Sequence, residues 1–490
     1  MRFFVLLMVD KMNKQVELMK NTFILTIGKI GTQFISFLLL PLYTALLTTS
    51  EYGIIDLFNT YISLLVPIFN WQFDQGMFRF LIDCRESKKK QAEVITTVLI
   101  TNLIQTMIYL MIFFMARNFI HSEYKYFLAI NVVMNVFVNS LLQLPRGLGN
   151  NFKYAMGSFI SAASTIALNV FLIAGFNMGA RGMFSATVLA QIITSIYLVC
   201  SSKVWRFLDI KCYKKEILKD ISKYSLPLVP NQLCWWVIGA SDRTIITYVL
   251  GVATNGVYSL ANKFSSIYSM IFSIFNMSWT ESVSVHINDE DREIFLTETI
   301  NAMFALFSSF NFGIIAVIPL IFTYMVDKSY EEAYYQIPIL MVAVLFQVIV
   351  GLFSVVYIAL KKSKEITKTS VYAAIINLII NLIFIKYIGV YAASLSTLIS
   401  FMVMAVYRYF HVKKYININL RKEIILNTVL LGIVVVWLYY YNHFITNVVS
   451  MFIVIIYFCI VNKSMLNDIF KILKARLKIE NIECQMNEKK

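Results

Sequence analysis

The sequence predicts an all-α integral membrane protein with about 14 transmembrane helices in a 6+6+2 arrangement, forming two parallel-repeat lobes around a central cavity. Composition is the first reason. Of 490 residues, 59% are hydrophobic and 14% charged, and the mean hydropathy is +0.69. Soluble domains are roughly 45–50% apolar and about a quarter charged, so much of this chain is built to face lipid. The second reason is a succession of apolar runs, each able to cross about 30 Å of hydrocarbon. The third is an internal repeat at an offset of 203 residues.

Taken in order, residues 1–21 form a cytosolic amino-terminal extension and residues 22–200 a first lobe. Its spans are 22–46, 54–80, 94–116, 126–145, 156–177 and 182–200, read with a window of about 20 residues. A cytosolic amphipathic linker, 201–224, precedes the second lobe, 225–409. That lobe's spans are 225–250, 255–280, 295–325, 335–360, 369–387 and 389–409. Residues 410–462 carry the last two, 424–441 and 446–462, and 463–490 form a basic cytosolic tail. The spans 54–80 and 255–280 are the most polar of the set. The opening MRFFVLLMVDKMNKQ imitates a signal peptide, but its apolar run Phe3–Val9 is short and no small-residue cleavage site follows. An uncleaved extension is therefore expected, with Met12 an alternative start.

Charge orients the spans. Most of the 43 Lys and Arg residues fall in loops on the side of the termini. The opposite side has Arg117, Lys125, Arg181, Lys328 and Lys386. The positive-inside rule then places both termini in the cytosol. This topology also accounts for the basic balance without nucleic acid as a partner. In the linker, Lys211, Lys215, Lys219 and Lys223 make a basic stripe opposite Trp205, Phe207, Leu208, Ile217, Leu218 and Ile221. That pattern suits a helix lying on anionic lipid. The six cysteines show no metal or redox spacing and the four histidines sit at span ends, so neither metal nor cofactor is expected.

The repeat pairs EYGIIDLFNTYISLLVPIF, from Glu51, with TNGVYSLANKFSSIYSMIF, from Thr254. Gly53 matches Gly256, Leu57 matches Leu260 and Asn59 matches Asn262. Six helices restore the starting side, so the halves run parallel, as in carriers that rock two lobes about a central site. Four cations lie within the spans of the two opening hairpins: Lys29, Arg79, Arg243 and Lys263. A base at a membrane helix centre costs about 2.5–3.5 kcal/mol on insertion scales and calls for an anionic partner or a watery cavity. Asp56, Asp74, Asp242 and Glu281 lie in the same hairpins, with Asp242 the candidate partner of Lys263. Two readings stand: interhelical ion pairing, or convergence of the cations on phosphate. Asp242, Asp74 and Glu281 are the candidates for ion coupling or charge pairing. Gln72, Asn231, Gln232, Trp235 and Trp236 are further polar and aromatic side chains of these hairpins, which a sugar-bearing substrate of the kind implied by the resemblance described next would contact.

SDRTIITYVLGVATNGVYSLANK, with Asp242, Arg243, Gly251, Gly256, Tyr258 and Lys263, resembles the seventh-to-eighth-helix signature of bacterial oligosaccharide flippases. These are polysaccharide transporters of the multidrug/oligosaccharidyl-lipid/polysaccharide superfamily. LLLPLYTALLTTSEYG resembles their first hairpin. The resemblance implies a transporter, without catalytic residues, in the bacterial inner membrane. Its substrate would be a polyprenyl-diphosphate oligosaccharide, and its partners polysaccharide polymerase and export proteins. It also implies that Arg243, Lys263, Lys29 and Arg79 bind the diphosphate, and that 424–462 helps hold the lipid tail. A cation-coupled multidrug antiporter shares the architecture, and a membrane polymerase or glycosyltransferase is a third reading. The antiporter would favour acids in its cavity, and such enzymes carry reactive groups on larger outer loops than the short ones here.

Overall fold

The computed structural model describes residues 37–360, 362–463 and 466–467, and every regular element among them is a helix. The first are α1 (Leu40–Leu46), α2 (Thr49–Asn70), α3 (Phe73–Asp83), α4 (Lys88–Ala116) and α5 (Lys125–Gly147). Then come α6 (Asn151–Asn169), α7 (Gly179–Ser202), α8 (Lys215–Ser225), α9 (Leu228–Leu250) and α10 (Val252–His286). The chain continues through α11 (Arg292–Met325), α12 (Ala333–Ala359), α13 (Ser363–Ile388), α14 (Tyr391–Val412), α15 (Lys422–Tyr441) and α16 (Phe444–Val461). Among the described residues, 11 helices are long and apolar enough to cross a membrane. The helices α9 and α10 have 23 and 35 residues, long enough to span but more polar. Together with the span expected at 22–46, most of which lies outside the described residues, they are compatible with about fourteen.

The start of α2 follows from its sequence. Thr48 and Glu51 form a capping box: Glu51 N donates to Thr48 Oγ1 at 3.2 Å, and Thr48 N donates to Glu51 Oε2 at 3.0 Å. This satisfies two backbone donors that a helix start leaves open. The other carboxylate oxygen accepts Ala180 N at 3.1 Å, at the start of α7. The predicted single helix over 54–80 is interrupted. Trp71 and Gln72 both have positive φ, 53° and 57°, so α2 ends and α3 restarts in a new direction.

The described residues divide into two compact units. One comprises those up to Lys263 with Ser329–Glu331 and Asn377–Ala393, the other Phe264–Lys328, Glu332–Ile376 and the residues from Ser394 onward. In the first, Phe73, Met77, Leu81, Val94, Ile95, Leu144 and Ile221 form one buried apolar cluster. Ile221 belongs to the linker, and Ile217 and Leu218 pack on the same cluster. The apolar side of α8 is therefore turned to protein, where Thr97 Oγ1 also accepts Lys214 N at 3.1 Å. Trp205, Leu208 and Ile210, ahead of α8, are among the exposed apolar side chains of the linker.

The two copies of the repeat meet within the first unit. A Cβ on Gly53 would lie 2.0 Å from the Val252 carbonyl oxygen, and one on Gly256 would lie 2.0 Å from that of Thr49. Residues 49 and 252, like 53 and 256, are repeat equivalents, so the contact is reciprocal. Glycine is required at both positions because backbone touches backbone. Asn255 Nδ2 donates to Gly53 O at 2.9 Å beside the crossing.

In the second unit, Tyr334 and Tyr439 stack at 4.3 Å and each hydroxyl donates to the other's carbonyl. Arg408, near the end of α14, is fully buried. It donates to Thr369 Oγ1, Ser354 Oγ and the Val350 and Ile366 carbonyls, joining α14 to α12 and α13. A guanidinium can be buried there because neutral acceptors surround its planar fork.

Candidate substrate site

One turn beyond the glycine crossing, Asp56 on α2 faces Arg243 on α9. Arg243 Nε lies 2.6 Å from Asp56 Oδ2, with the two side chains 17% and 18% exposed. Arg243 Nη1 also donates to Gly239 O at 2.7 Å. Ser259, the repeat equivalent of Asp56, donates its hydroxyl to the same carboxylate oxygen. Lys263, one turn further along α10, exposes its side chain and lies in the field of both Asp56 and Arg243. Two predicted phosphate ligands, Arg243 and Lys263, are thus gathered around one carboxylate.

Asp242, next to Arg243, has further partners. It is buried and accepts hydrogen bonds from Tyr258 Oη at 3.1 Å and Asn381 Nδ2 at 2.7 Å. Asp56, to which the residue pattern gave no particular partner, is in electrostatic reach of both cations. Arg79 pairs with Asp83, four residues on along α3, at 2.6 Å with both side chains about half exposed. A surface pair of this kind contributes little to stability. Lys29 lies outside the described residues. Glu281 is exposed, and Asn231 and Trp235 are half-buried on α9. The indole Nε1 of Trp236 donates to Thr60 O at 2.9 Å, a tie between α9 and α2.

Beside this cluster the first unit encloses a cavity of about 610 Å³. Its wall continues the face of α2 that carries Asp56, through Asn59, Ser63 and Pro67. Asn131, Asn135, Asn139 and Gln143 form a ladder along α5, one amide per turn. Gln191 comes from α7, Gln232 from α9, and Gln72 and Gln75 from the break between α2 and α3. Asp74 lines the same space; it is 9% exposed and accepts from Gln75 Nε2 at 2.7 Å and Asn70 Nδ2 at 3.4 Å. The sequence candidates Gln72, Gln232 and Asp74 therefore share one cavity. The amide ladder was not anticipated, although its four-residue spacing is readable in the sequence.

The second unit holds a different cavity, about 600 Å³ and almost wholly apolar. Phe304, Phe312, Leu345, Phe353, Tyr409 and Val429 are among its lining residues, from α11, α12, α14 and α15.

Residues 18–280 match the family of polysaccharide biosynthesis proteins. The chain belongs to that family. Among curated relatives, a protein of the Lsg locus of Haemophilus influenzae is 20% identical over 268 residues, which are 53% of this chain and 64% of that protein. The match thus spans less than two thirds of the relative. Solved structures show the same fold. An inward-facing multidrug resistance transporter of the MATE family and MOP superfamily superposes with a TM-score of 0.64 at 15% identity, covering 79% of this chain and 93% of the other. A MOP superfamily transporter from Pyrococcus furiosus, described as having a binding pocket of reversed polarity, gives 0.57 at 16% identity, covering 79% and 93%. The protein is a multi-pass membrane member of the polysaccharide biosynthesis family with the MOP transporter fold.

Proposed function

We propose that the protein is a flippase, carrying a polyprenyl-diphosphate-linked oligosaccharide from the inner to the outer leaflet of the bacterial inner membrane by alternating access. The observation that carries this reading is the cluster of Arg243 and Lys263 around Asp56, partly accessible and beside a polar cavity. A diphosphate with its sugars cannot cross about 30 Å of hydrocarbon without such a path. Arg243 offers a fork to phosphate oxygens and Lys263 a point charge. Asp56 gives the cluster a resting state. In the unloaded carrier it occupies the guanidinium, with Ser259 on the same oxygen; an arriving phosphate replaces it. The cations are then never bare while the empty carrier resets. With a cytosol-negative potential, outward movement of the anionic headgroup is favoured by about 2.3 kcal/mol per charge per 100 mV. The apolar cavity between α11, α12, α14 and α15 offers a place for prenyl chain. Cytosolic termini and delivery to polymerase and export proteins complete the proposal.

The test is leaflet exchange in liposomes loaded on one side with a fluorescent polyprenyl-diphosphate oligosaccharide. Wild type should exchange it. Arg243→Ala and Lys263→Ala should each slow exchange by about tenfold or more, as expected for losing one charge-assisted phosphate contact. Their melting temperatures should stay within a few degrees of wild type. A second reading, a cation-coupled multidrug antiporter, is favoured by the buried Asp74 in a cavity. Acid-dependent efflux of cationic dyes without lipid exchange would establish that reading instead.

A further inference from the structure

We infer that the amide-lined cavity of the first unit is a carbohydrate site that takes uncharged, hydroxyl-rich sugars and disfavours sugars bearing carboxylates. The inference rests on the flippase reading and names which part of its cargo sits here. The ladder on α5 is the principal observation. Asn131 Nδ2 donates to Phe127 O at 2.9 Å, and Asn135 Nδ2 donates to Asn131 O at 2.8 Å. Asn131 and Asn135 thus each spend one amide N–H on their own helix, four residues back, and keep a second N–H, while Gln143 Oε1 accepts from Arg146 Nη1 at 3.2 Å. Asn131 is 1% exposed and Gln191 8% exposed, and both line the cavity. Their buried oxygens, Asn131 Oδ1 and Gln191 Oε1, have no protein partner.

Hydroxyl groups, which both donate and accept, suit a wall of amides that does the same. Among the described residues, the cavity lining includes one charged side chain, the Asp74 carboxylate, and no base. Its oxygens already accept from Asn70 and Gln75, and the lining sets no base against a uronate's carboxylate. Tyr154 adds an aromatic face of the kind that packs on sugar rings. A volume near 610 Å³ is within the usual range of roughly 300–1,000 Å³ for small-ligand sites. The diphosphate and sugar sites are adjacent, because Asp56 lies one turn before Asn59 on α2, a rise of about 5 Å.

The experiment is saturation-transfer NMR on the full chain in nanodiscs, with tri-N-acetylchitotriose and tri-galacturonate as probes. Wild type should give transfer to the neutral trisaccharide and at least about fivefold less to the uronate. Asn135→Leu and Asn139→Leu should each weaken the neutral signal about fivefold to tenfold, the value of one lost hydrogen bond. Equal signals for both probes, or a preference for the uronate, would overturn the inference with wild type alone, whatever the variants' folding. So would full binding by both variants. Trisaccharide binding with no exchange of the lipid-linked probe would sink the flippase reading and leave this site standing. Exchange without sugar discrimination would do the reverse.

Discussion

Asp56 and Ser259 occupy equivalent places in the repeat, yet one is an acid and the other a hydroxyl, and they are hydrogen-bonded to each other. Arg243 and Lys263 were legible as single residues because a charge in an apolar run is conspicuous. The acid across from Arg243 was not. Asp242 stands beside Arg243 in the sequence, but successive helix positions point about 100° apart, and Asp242 turns to Tyr258 and Asn381. Asp56 reaches Arg243 across 187 positions of chain, a pairing that only packing decides. The glycines of the crossing allow a sharp prediction. Gly53→Ala or Gly256→Ala sets a methyl group 2.0 Å from a backbone oxygen, so the helices must separate. Each should cost about 1–3 kcal/mol, as overpacking does, seen as a lower melting temperature. Gly239→Ala, with nothing within 4 Å of its Cβ, should leave it unchanged.

At the scale of the element, hydropathy located the spans because lipid and core both select apolar side chains over whole helices. It missed the break at Trp71 and Gln72, since neither residue is a Gly, Pro or Asn turn signal. It also missed the α5 ladder, whose amides look like ordinary polar interruptions until their spacing of four is set on a helix. The linker shows a related ambiguity: an amphipathic helix has the same pattern whether its apolar face meets lipid or protein. Here Ile217, Leu218 and Ile221 meet protein. Arg408 carries the prediction at this scale. Arg408→Lys keeps the charge but cannot reproduce the fork that reaches α12 and α13 together. The expected loss is about 3 kcal/mol, the upper value for a charged hydrogen bond, measured by thermal or denaturant unfolding in detergent.

For the whole molecule, fold class and family were readable from composition, span count and the motif around Arg243, and the match over 18–280 agrees. Topology makes the remaining prediction. A membrane-impermeant maleimide applied to intact cells should spare Cys84 and Cys212 and label cysteines placed at Arg117 or Lys328; Cys212 should react only after permeabilisation. Reaction of Cys212 in intact cells would reverse the assigned orientation. The reciprocal crossing of Gly53 with Gly256 has a further consequence. Contacts in which each copy presents the same patch to the other are those of a two-fold dimer. Two identical chains would be bound to repeat every residue on both sides of such an axis. Joined in one chain, the copies are free to differ: Asp56 stands against Ser259, Leu40 is the counterpart of Arg243, and Thr60 that of Lys263. Covalent duplication thus lets a symmetric joint carry a single, polarised charge cluster, something an assembly of identical subunits could hold only in duplicate.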